Sequence, residues 1–264
     1  IMMKLLQKLS IENYKFNSVE RFHLEAEVTK QAYKIKEENF GDPDFIDLNL
    51  EKILSENFID DIYKNISIKA CSDVGDLNIP SHPETVYLTV VDKDLNVVSF
   101  INSICHAFGS GICSEKSGVL FQNRGVNFRL EEGHPNCIES NKRPLHTIIP
   151  GLLTDKNNET IFSYGVMGGQ YQPIGQVHVL QNIFEFGMSI QEALDTQRAF
   201  ALNGKLKIEK SFSKSLIKDL SDFGHDIQLV EDAIGGGQAI MIDRKKGILI
   251  GGSDSRKDGS AIGY

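Results

Sequence analysis

Thr85 combines two features that nucleophilic catalysis can use. It opens the stretch 85–92, whose side chains alternate between two faces and predict a β-strand, and it follows the polar, loop-like segment 67–84. If the chain is cut between Glu84 and Thr85, the threonine carries both a hydroxyl and a free α-amino group. The hydroxyl can then attack a carbonyl while the amine, with a pKa near ~8, takes its proton. Most threonines that open a strand have no such role, so the interpretation of Thr85 as an ordinary structural residue also remains open.

Two further features fit the same chemistry. Gly168 and Gly169 stand where a predicted strand ends and a helix begins, so their backbone N–H groups could stabilise an oxyanion, although a plain glycine turn explains them equally. A hairpin folding about 94–95 would set Thr85 opposite Ser103 or its neighbour. Ser103 is then either a hydroxyl that faces Thr85 or simply a polar position on the second strand.

The remaining elements follow from hydrophobic periodicity. Helical spacing predicts a helix around 19–33 and a second one over 50–66, with a turn at 41–44 between them. Beyond the hairpin we predict strands at 118–122, 146–153, 161–167, 205–209, 238–243 and 248–250, and helices near 177–184, from the capping box at Ser189 onward, and near 216–223. Strands, then helices, then strands again indicate a layered α+β fold.

Composition limits the class of protein. The chain has 264 residues, 41% of them hydrophobic and 24% charged, as in an ordinary soluble globular protein of one or two domains. A net charge of −8 without a basic stripe argues against nucleic acid as a partner, and no apolar run approaches the ~20 residues of a membrane span. The four cysteines match no zinc or redox motif, which indicates reduced thiols and favours the cytoplasm.

Cofactor and metal motifs are also missing from the sequence. The seven histidines include no HExxH or other paired spacing, so no metal is expected. Gly235-Gly236-Gly237 lacks the spacing of a dinucleotide or phosphate loop, and Ser211 to Lys214 matches SxxK without its companion motifs. We therefore expect no cofactor.

Five segments occur in the order seen in γ-glutamyltransferases: TVYLTVVDKDLNVVSFINS, FGSGICSEKSGVLFQNRG, NKRPLHTIIP, GVMGG and SDSRKDGSAIGY. The chain resembles that family from about Ile1 to Tyr264. The resemblance implies the four-layer αββα sandwich of N-terminal nucleophile hydrolases. It also implies that Thr85 is a nucleophile released by self-cleavage after Glu84, that Gly168 and Gly169 form the oxyanion hole, and that Ser103 hydrogen-bonds the nucleophile.

The same resemblance implies a division of the chain. Residues 1–84 correspond to the helical carboxyl-terminal part of the family's large subunit, which ends in the cleavage loop, and residues 85–264 correspond to the small catalytic subunit. Both regions belong to one composite domain, so the large-subunit region is an expected partner of the small one. Assembly into a homo-oligomer is also possible. Family precursors have a longer amino-terminal region, and the Ile-Met-Met opening suggests that its greater part is missing here.

The departures from the family lie in its substrate pocket. Its glutamyl-binding Asn, Gln, Asp and Ser-Ser pair align with Cys105, Arg124, Asn127 and His146-Thr147. Without the Asp, a substrate ammonium loses its anionic partner. Arg124 can bind a carboxylate in a bidentate manner, or it is a solvated surface charge.

The leading functional prediction is a self-processing amidase or acyltransferase. Thr85 would cleave γ-glutamyl-type amides of small molecules and pass the acyl group to water or an amine. A second possibility is an acylase of the cephalosporin or glutaryl type. A third, from another class, is a non-catalytic or uncleaved relative that acts as a binding protein.

Overall fold

The computed structural model describes residues 1–79 and 84–264, with only the backbone of Glu84. Positions 80–83 of the predicted cleavage loop therefore lie outside the described residues. The chain forms two compact units from interleaved stretches. The first unit draws on Ile1–Pro80, Gly125–His146 and Gln197–Asp232, and the second on Ser81–Arg124, Thr147–Thr196 and Ala233–Tyr264.

Seven α-helices and nine β-strands are found within the described residues. The helices are α1 (Met2–Lys8), α2 (Val19–Asn39), α3 (Leu50–Ile53), α4 (Glu56–Tyr63), α5 (Gln172–Phe184), α6 (Ile190–Asp195) and α7 (Lys214–Asp222). The strands are β1 (Glu84–Val91), β2 (Val97–Cys105), β3 (Gly151–Thr154), β4 (Thr160–Met167), β5 (Ala199–Leu202), β6 (Lys205–Glu209), β7 (Ile227–Val230), β8 (Gly236–Asp243) and β9 (Ile248–Ser253).

The first unit is built around α2. Ser18 caps this 21-residue helix by accepting a hydrogen bond from the Arg21 N–H, which satisfies one of the free amides of its first turn. The helix packs against β5 and α7, and β5, β6 and β7 form a sheet in that order. Burial of the apolar side chains between these elements stabilises the unit. Its core cluster consists of Phe22, Ala26, Ala201, Leu206, Ile208, Phe212, Leu216 and Leu220.

The second unit has three layers. The hairpin β1–β2 packs on a four-stranded sheet of order β3-β4-β8-β9, and α5 and α6 pack on that sheet as well. A Cβ added to Gly165 of β4 would lie 2.4 Å from the Tyr87 ring of β1, whereas one added to Gly175 of α5 would lie 2.8 Å from the Val166 side chain. Because neighbouring residues of a strand point to opposite faces, the hairpin and α5 cover opposite faces of β4.

Three of the predicted elements are wrong or too long. The helix expected over 50–66 is two helices, because the Ser55 hydroxyl accepts the Phe58 N–H and starts a new helix. The stretch 118–122 forms only an isolated bridge between Leu120 and Cys113, and the strand expected over 146–153 is limited to β3. The hairpin, β4, β6, β8, β9 and the Ser189 capping box are confirmed.

No helix within the described residues is both long enough and apolar enough to cross a membrane.

Candidate functional site

Thr85 lies at an irregularity in the hairpin. Glu84 pairs with Cys105 and Val86 pairs with Asn102, so one residue of β1 faces two residues of β2. Those two residues are Ser103 and Ile104, so Thr85 lies opposite Ser103 and its neighbour, as the predicted hairpin requires. Such bulges re-aim side chains and are common beside active sites.

The hairpin packs on β4 through side chains of β1. The Thr89 hydroxyl lies 2.6 Å from the Ser163 hydroxyl, and Tyr87 lies over Gly165. Each step of two residues back along β1 therefore advances two residues along β4. One further step of the same size would bring the start of β1 to the level of Met167 at the end of β4.

The Gly168-Gly169 turn directly follows that strand end. Gly168 has φ +125°, and a Cβ there would lie 2.8 Å from the Gly235 Cα, so two backbones approach closely at this point. Gly169, at φ +57°, begins the short 3₁₀ helix Gly169–Tyr171 that leads into α5. The N–H of a first helical residue has no acceptor within its helix and is available to an oxyanion. Gly235, set aside at the level of sequence motifs, is what allows this turn.

Ser103 and Cys105 lie on β2, next to the start of β1. The Ser103 hydroxyl accepts a hydrogen bond of 3.1 Å from the Cys105 N–H. Cys105 is fully buried with φ +78°, a conformation that costs energy for a residue other than glycine. Burial raises the pKa of its thiol, so Cys105 is not an activated nucleophile.

Arg124 is a buried cation rather than a solvated one, with only 6% of its surface exposed. Its Nη2 donates to the Ser103 carbonyl at 3.2 Å, and burial lowers its pKa. Within the described part of the chain, its Nη1 has no hydrogen-bond partner. A guanidinium keeps its charge even when buried, so this arrangement favours an anion beside Arg124.

The other predicted pocket residues differ in environment. Asn127, in the first unit, is buried and donates to the Leu145 carbonyl at 3.1 Å, and its Oδ1 lacks a partner among the described residues. His146 is exposed and also belongs to the first unit, whereas Thr147 is buried in the second. The structure thus brings Thr85, Ser103, Cys105, Arg124 and the glycine turn into one unit.

The sequence motifs missed a polar cluster in the core of the first unit. His23 Nε2 lies 2.8 Å from the Ser67 carbonyl, which can only accept, so this nitrogen carries the proton. His23 Nδ1 must then accept from His225 Nε2, 2.8 Å away, which leaves His225 Nδ1 as an acceptor 3.7 Å from the Cys71 Sγ. The three side chains form one hydrogen-bonded relay across 202 positions of sequence.

An ion pair lies against this relay. Lys30 bonds to Glu27 at 2.7 Å, and although burial opposes ionisation, bonds from Lys30 and Ser72 keep the pKa of Glu27 low. Burial, with Lys30 nearby, lowers the pKa of His225 to about 4. Glu27 and the two histidines could reach one metal ion, since their ligand atoms lie within 4.8 Å of one another, but Lys30 already neutralises the carboxylate. A cavity of about 250 Å³ beside Lys30 and Cys71 contains none of the predicted site residues.

A threonine at the start of a strand and a glycine turn at the end of a strand in the opposing layer are features of an N-terminal nucleophile hydrolase. Solved structures support this class. The chain aligns with a cephalosporin acylase from Bacillus halodurans at a TM-score of 0.85 and 35% identity, over 98% of this chain and 49% of that one.

The family model of γ-glutamyltranspeptidase matches residues 1–264. The chain is 33% identical to the glutathione hydrolase-like YwrD proenzyme of Bacillus subtilis over 96% of its length, and 31% identical to the oxamate amidohydrolase proenzyme of Klebsiella pneumoniae over 92%. It spans 50% and 47% of these relatives, about half their length. The chain belongs to the γ-glutamyltranspeptidase family, whose members are enzymes, and it is a divergent member.

Proposed function

We propose that the chain carries the catalytic threonine of a self-processing amidase or acyltransferase. The observation that carries this proposal is the position of Thr85 at the bulged start of β1, the strand that packs on β4. The names of its relatives, which are called proenzymes, support a cleavage step.

Self-cleavage would proceed through an ester. The Thr85 hydroxyl attacks the Glu84 carbonyl, the Glu84–Thr85 C–N bond breaks, and the proton of the hydroxyl passes to the released amine. Water then hydrolyses the ester, giving a Glu84 carboxylate and restoring the Thr85 hydroxyl. The product has a free α-amino group at Thr85, which is the general base that the hydroxyl needs.

Turnover would reuse the same atoms. The Thr85 amine takes the proton from the hydroxyl, whose oxygen attacks the amide carbonyl of the substrate. The N–H groups of Gly168 and Gly169 stabilise the oxyanion. The amine of the substrate then leaves with the proton that the Thr85 α-amine had taken. Water or a second amine then attacks the acyl-enzyme and releases Thr85.

Arg124 supports a donor that carries a carboxylate. Its buried, incompletely bonded guanidinium gains most from a bidentate anion. Asn127 offers an amide where the family has an anion, so an ammonium on the donor has no charged partner at that position. We therefore favour a glutaryl-like acyl group over a γ-glutamyl one. Among the similar proteins, an oxamate amidohydrolase and a cephalosporin acylase support a donor other than γ-glutamyl amides, whereas the glutathione hydrolase-like proenzyme supports a γ-glutamyl donor.

The four-layer sandwich is part of the same proposal. The face of the hairpin that is directed away from β4 is apolar and exposed, and such a contiguous apolar patch is unusual on a surface that stays in contact with water. A further layer of the sandwich would cover this face. Its exposed side chains are Val86, Leu88, Val90, Val98 and Phe100.

The test is the amino-terminal residue of each polypeptide in purified full-length protein. We expect a fragment that begins with Thr85 on denaturing gels and in mass spectrometry. Thr85→Ala should stop cutting, whereas Thr85→Ser should retain it because the hydroxyl survives. Thr89→Ala is the matched control, since Thr89 lies on the same face of β1 and bonds to Ser163. A single uncut chain after long incubation would leave the third possibility, a binding protein.

A further inference from the structure

Two glutamines of α5 hold both backbone groups of one residue in the segment before β3. The Ile149 N–H donates to Gln172 Oε1 at 3.1 Å, and the Ile149 carbonyl accepts from Gln176 Nε2. Because Gln172 and Gln176 are four positions apart, they lie one above the other on the same side of the helix. We call these two residues the glutamine pair.

Packing alone does not require the amide of Gln172. This side chain is fully buried, and its Nε2 has no hydrogen-bond partner among the described residues. Burying an unpaired donor lowers stability, whereas a methionine of similar length would fill the same space without that loss. The Gln172 amide therefore serves its contact with Ile149 rather than the core.

The glutamine pair follows the Gly168-Gly169 turn closely. Gln172 is the first residue of α5, and the 3₁₀ helix Gly169–Tyr171 joins it to the turn. Since Gln172 is only three positions after Gly169, a displacement of the first turn of α5 also displaces the N–H groups at 168 and 169.

The residue before Ile149 lies against the other end of the turn. Ile148 packs against the apolar cluster that contains Met167, and Met167 directly precedes Gly168. Two consecutive residues of one segment thus contact the end of β4 and the start of α5. All of these residues belong to the second unit.

We propose that Gln172 and Gln176 are positioning residues for the oxyanion turn. By bonding to Ile149 they fix the first turn of α5, and with it the direction of the Gly168 and Gly169 N–H groups. This inference rests on the proposed function and adds two side chains that act through the turn rather than on the substrate. A donor displaced by about 1 Å is enough to slow a reaction by about a hundredfold, so such positioning matters.

The test is the steady-state kinetics of cut, full-length enzyme on a glutaryl anilide. Gln172→Met and Gln176→Met keep the length of the side chain and remove the amide. We expect kcat to fall about tenfold in each, with KM changed less than about twofold, because the oxyanion donors act in the transition state and not on the bound substrate. Self-cleavage happens once per molecule, so a slowed variant is incubated to completion before the assay.

Gln181→Met is the matched control. Gln181 is also a buried glutamine of α5, and its Oε1 likewise has no partner within the described part of the chain. Since Gln181 lies nine positions after Gln172 and makes no contact with Ile149 among the described hydrogen bonds, its variant should keep the kcat of the wild type.

Inhibition constants separate positioning from a general loss of structure, because a smaller fraction of folded enzyme leaves them unchanged. In 4-boronobutanoate, boron takes the place of the reacting carbonyl carbon of a glutaryl group. The Thr85 hydroxyl adds to it, its proton passes to the α-amine, and the tetrahedral adduct uses the oxyanion donors. Its inhibition constant should rise about tenfold in both methionine variants, whereas that of glutarate, which forms no adduct, should stay the same.

Three results would overturn the positioning role while leaving the proposed function intact. These are a wild-type kcat in both methionine variants, an equal loss in Gln181→Met, and a rise in KM at constant kcat. A wild-type protein that neither cuts itself nor hydrolyses the anilide would overturn the proposed function as well.

Discussion

In the proposed function, the single residue Arg124 decides the substrate class. The Arg124 guanidinium donates to the Ser103 carbonyl through Nη2, but its buried Nη1 has no partner in the described part of the chain. Burying this charged group lowers the stability of the protein unless an anion binds beside it. In the proposed function, a substrate carboxylate offsets this cost when it binds. The preference for such a donor would then come from the resting protein and not from the nucleophile.

Arg124→Gln, which restores the residue type of the family, tests this interpretation. With a glutaryl anilide we expect kcat/KM to fall about a hundredfold, roughly 2.7 kcal/mol, because a charge-assisted pair is lost. With the neutral pentanoyl anilide it should change less than about threefold. Arg244→Gln, an exposed arginine of the same unit, is the control and should leave both donors unaffected. Equal losses on both donors would show that Arg124 acts through the fold instead.

The choice between donors can also be measured in the unmodified enzyme. Asn127 provides no negative charge for an α-ammonium, so glutaryl donors should be used at least as well as γ-glutamyl donors of the same leaving group. A preference of about a hundredfold for the γ-glutamyl compound, roughly 2.7 kcal/mol, would place a partner for the ammonium elsewhere.

At the scale of elements, the end of β4 and the start of β8 must approach each other closely. Gly168 and Gly235 meet backbone to backbone, and a Cβ on Gly235 would lie 2.5 Å from the Met167 carbonyl oxygen. This approach fixes where the turn after β4 directs its N–H groups. The oxyanion role proposed for the turn therefore depends on Gly168 and Gly235, which are 67 positions apart in sequence.

Gly168→Ala should disturb the turn and reduce kcat/KM by about a hundredfold or more, the effect of losing one oxyanion donor. Gly247→Ala is the matched control: Gly247 also has a positive φ, +66°, but a Cβ there meets nothing within 4 Å. Gly247→Ala carries only the cost of alanine at positive φ, roughly 1–2 kcal/mol. Gly168→Ala adds the close approach of its Cβ to Gly235, so the difference between the two unfolding free energies measures that added strain. Full activity in a folded Gly168→Ala enzyme would rule out this turn as the oxyanion hole.

At the scale of the whole molecule, the relay of His23 and His225 couples stability to pH. Burial lowers the pKa of both histidines, and that of His225 lies at about 4 with Lys30, Glu27, His23 and Cys71 facing it. Between pH 6.5 and 4 the unfolded chain binds more protons than the folded one, so the free energy of unfolding rises with pH. Stability present above pH ~6.5 is therefore lost on acidification.

We expect acidification from pH 7 to pH 4 to cost on the order of 3 kcal/mol from His225. His225→Gln retains a donor for His23 Nδ1 and removes the titrating ring, so urea denaturation of this variant should show a weaker dependence on pH in that range. The double variant with His23→Gln should flatten the dependence further. An identical pH dependence in wild type and His225→Gln would contradict the assigned tautomers and the relay.

The sequence by itself determined what depends on neighbours along the chain. Alternation predicted β1, β2 and β4, a Ser-x-x-Glu pattern predicted the cap of α6, and hairpin register placed Thr85 against Ser103. These features are local because the hydrogen bonds and side-chain faces involved span few residues. Even here Ser55 divided a helix that periodicity had predicted to be continuous.

Only the tertiary structure decided which distant residues meet. Sequence did not show that Arg124 is buried, that Gly235 makes room for the turn at Gly168, that His225 bonds to His23, or that Asn203 holds Ile79 across 124 positions. Each of these contacts depends on how sheets and helices pack, and packing is specified by the summed burial of many side chains rather than by any short motif. A threonine at the start of a strand is visible in the sequence, but whether its surroundings can make it react is decided by residues that folding brings to it.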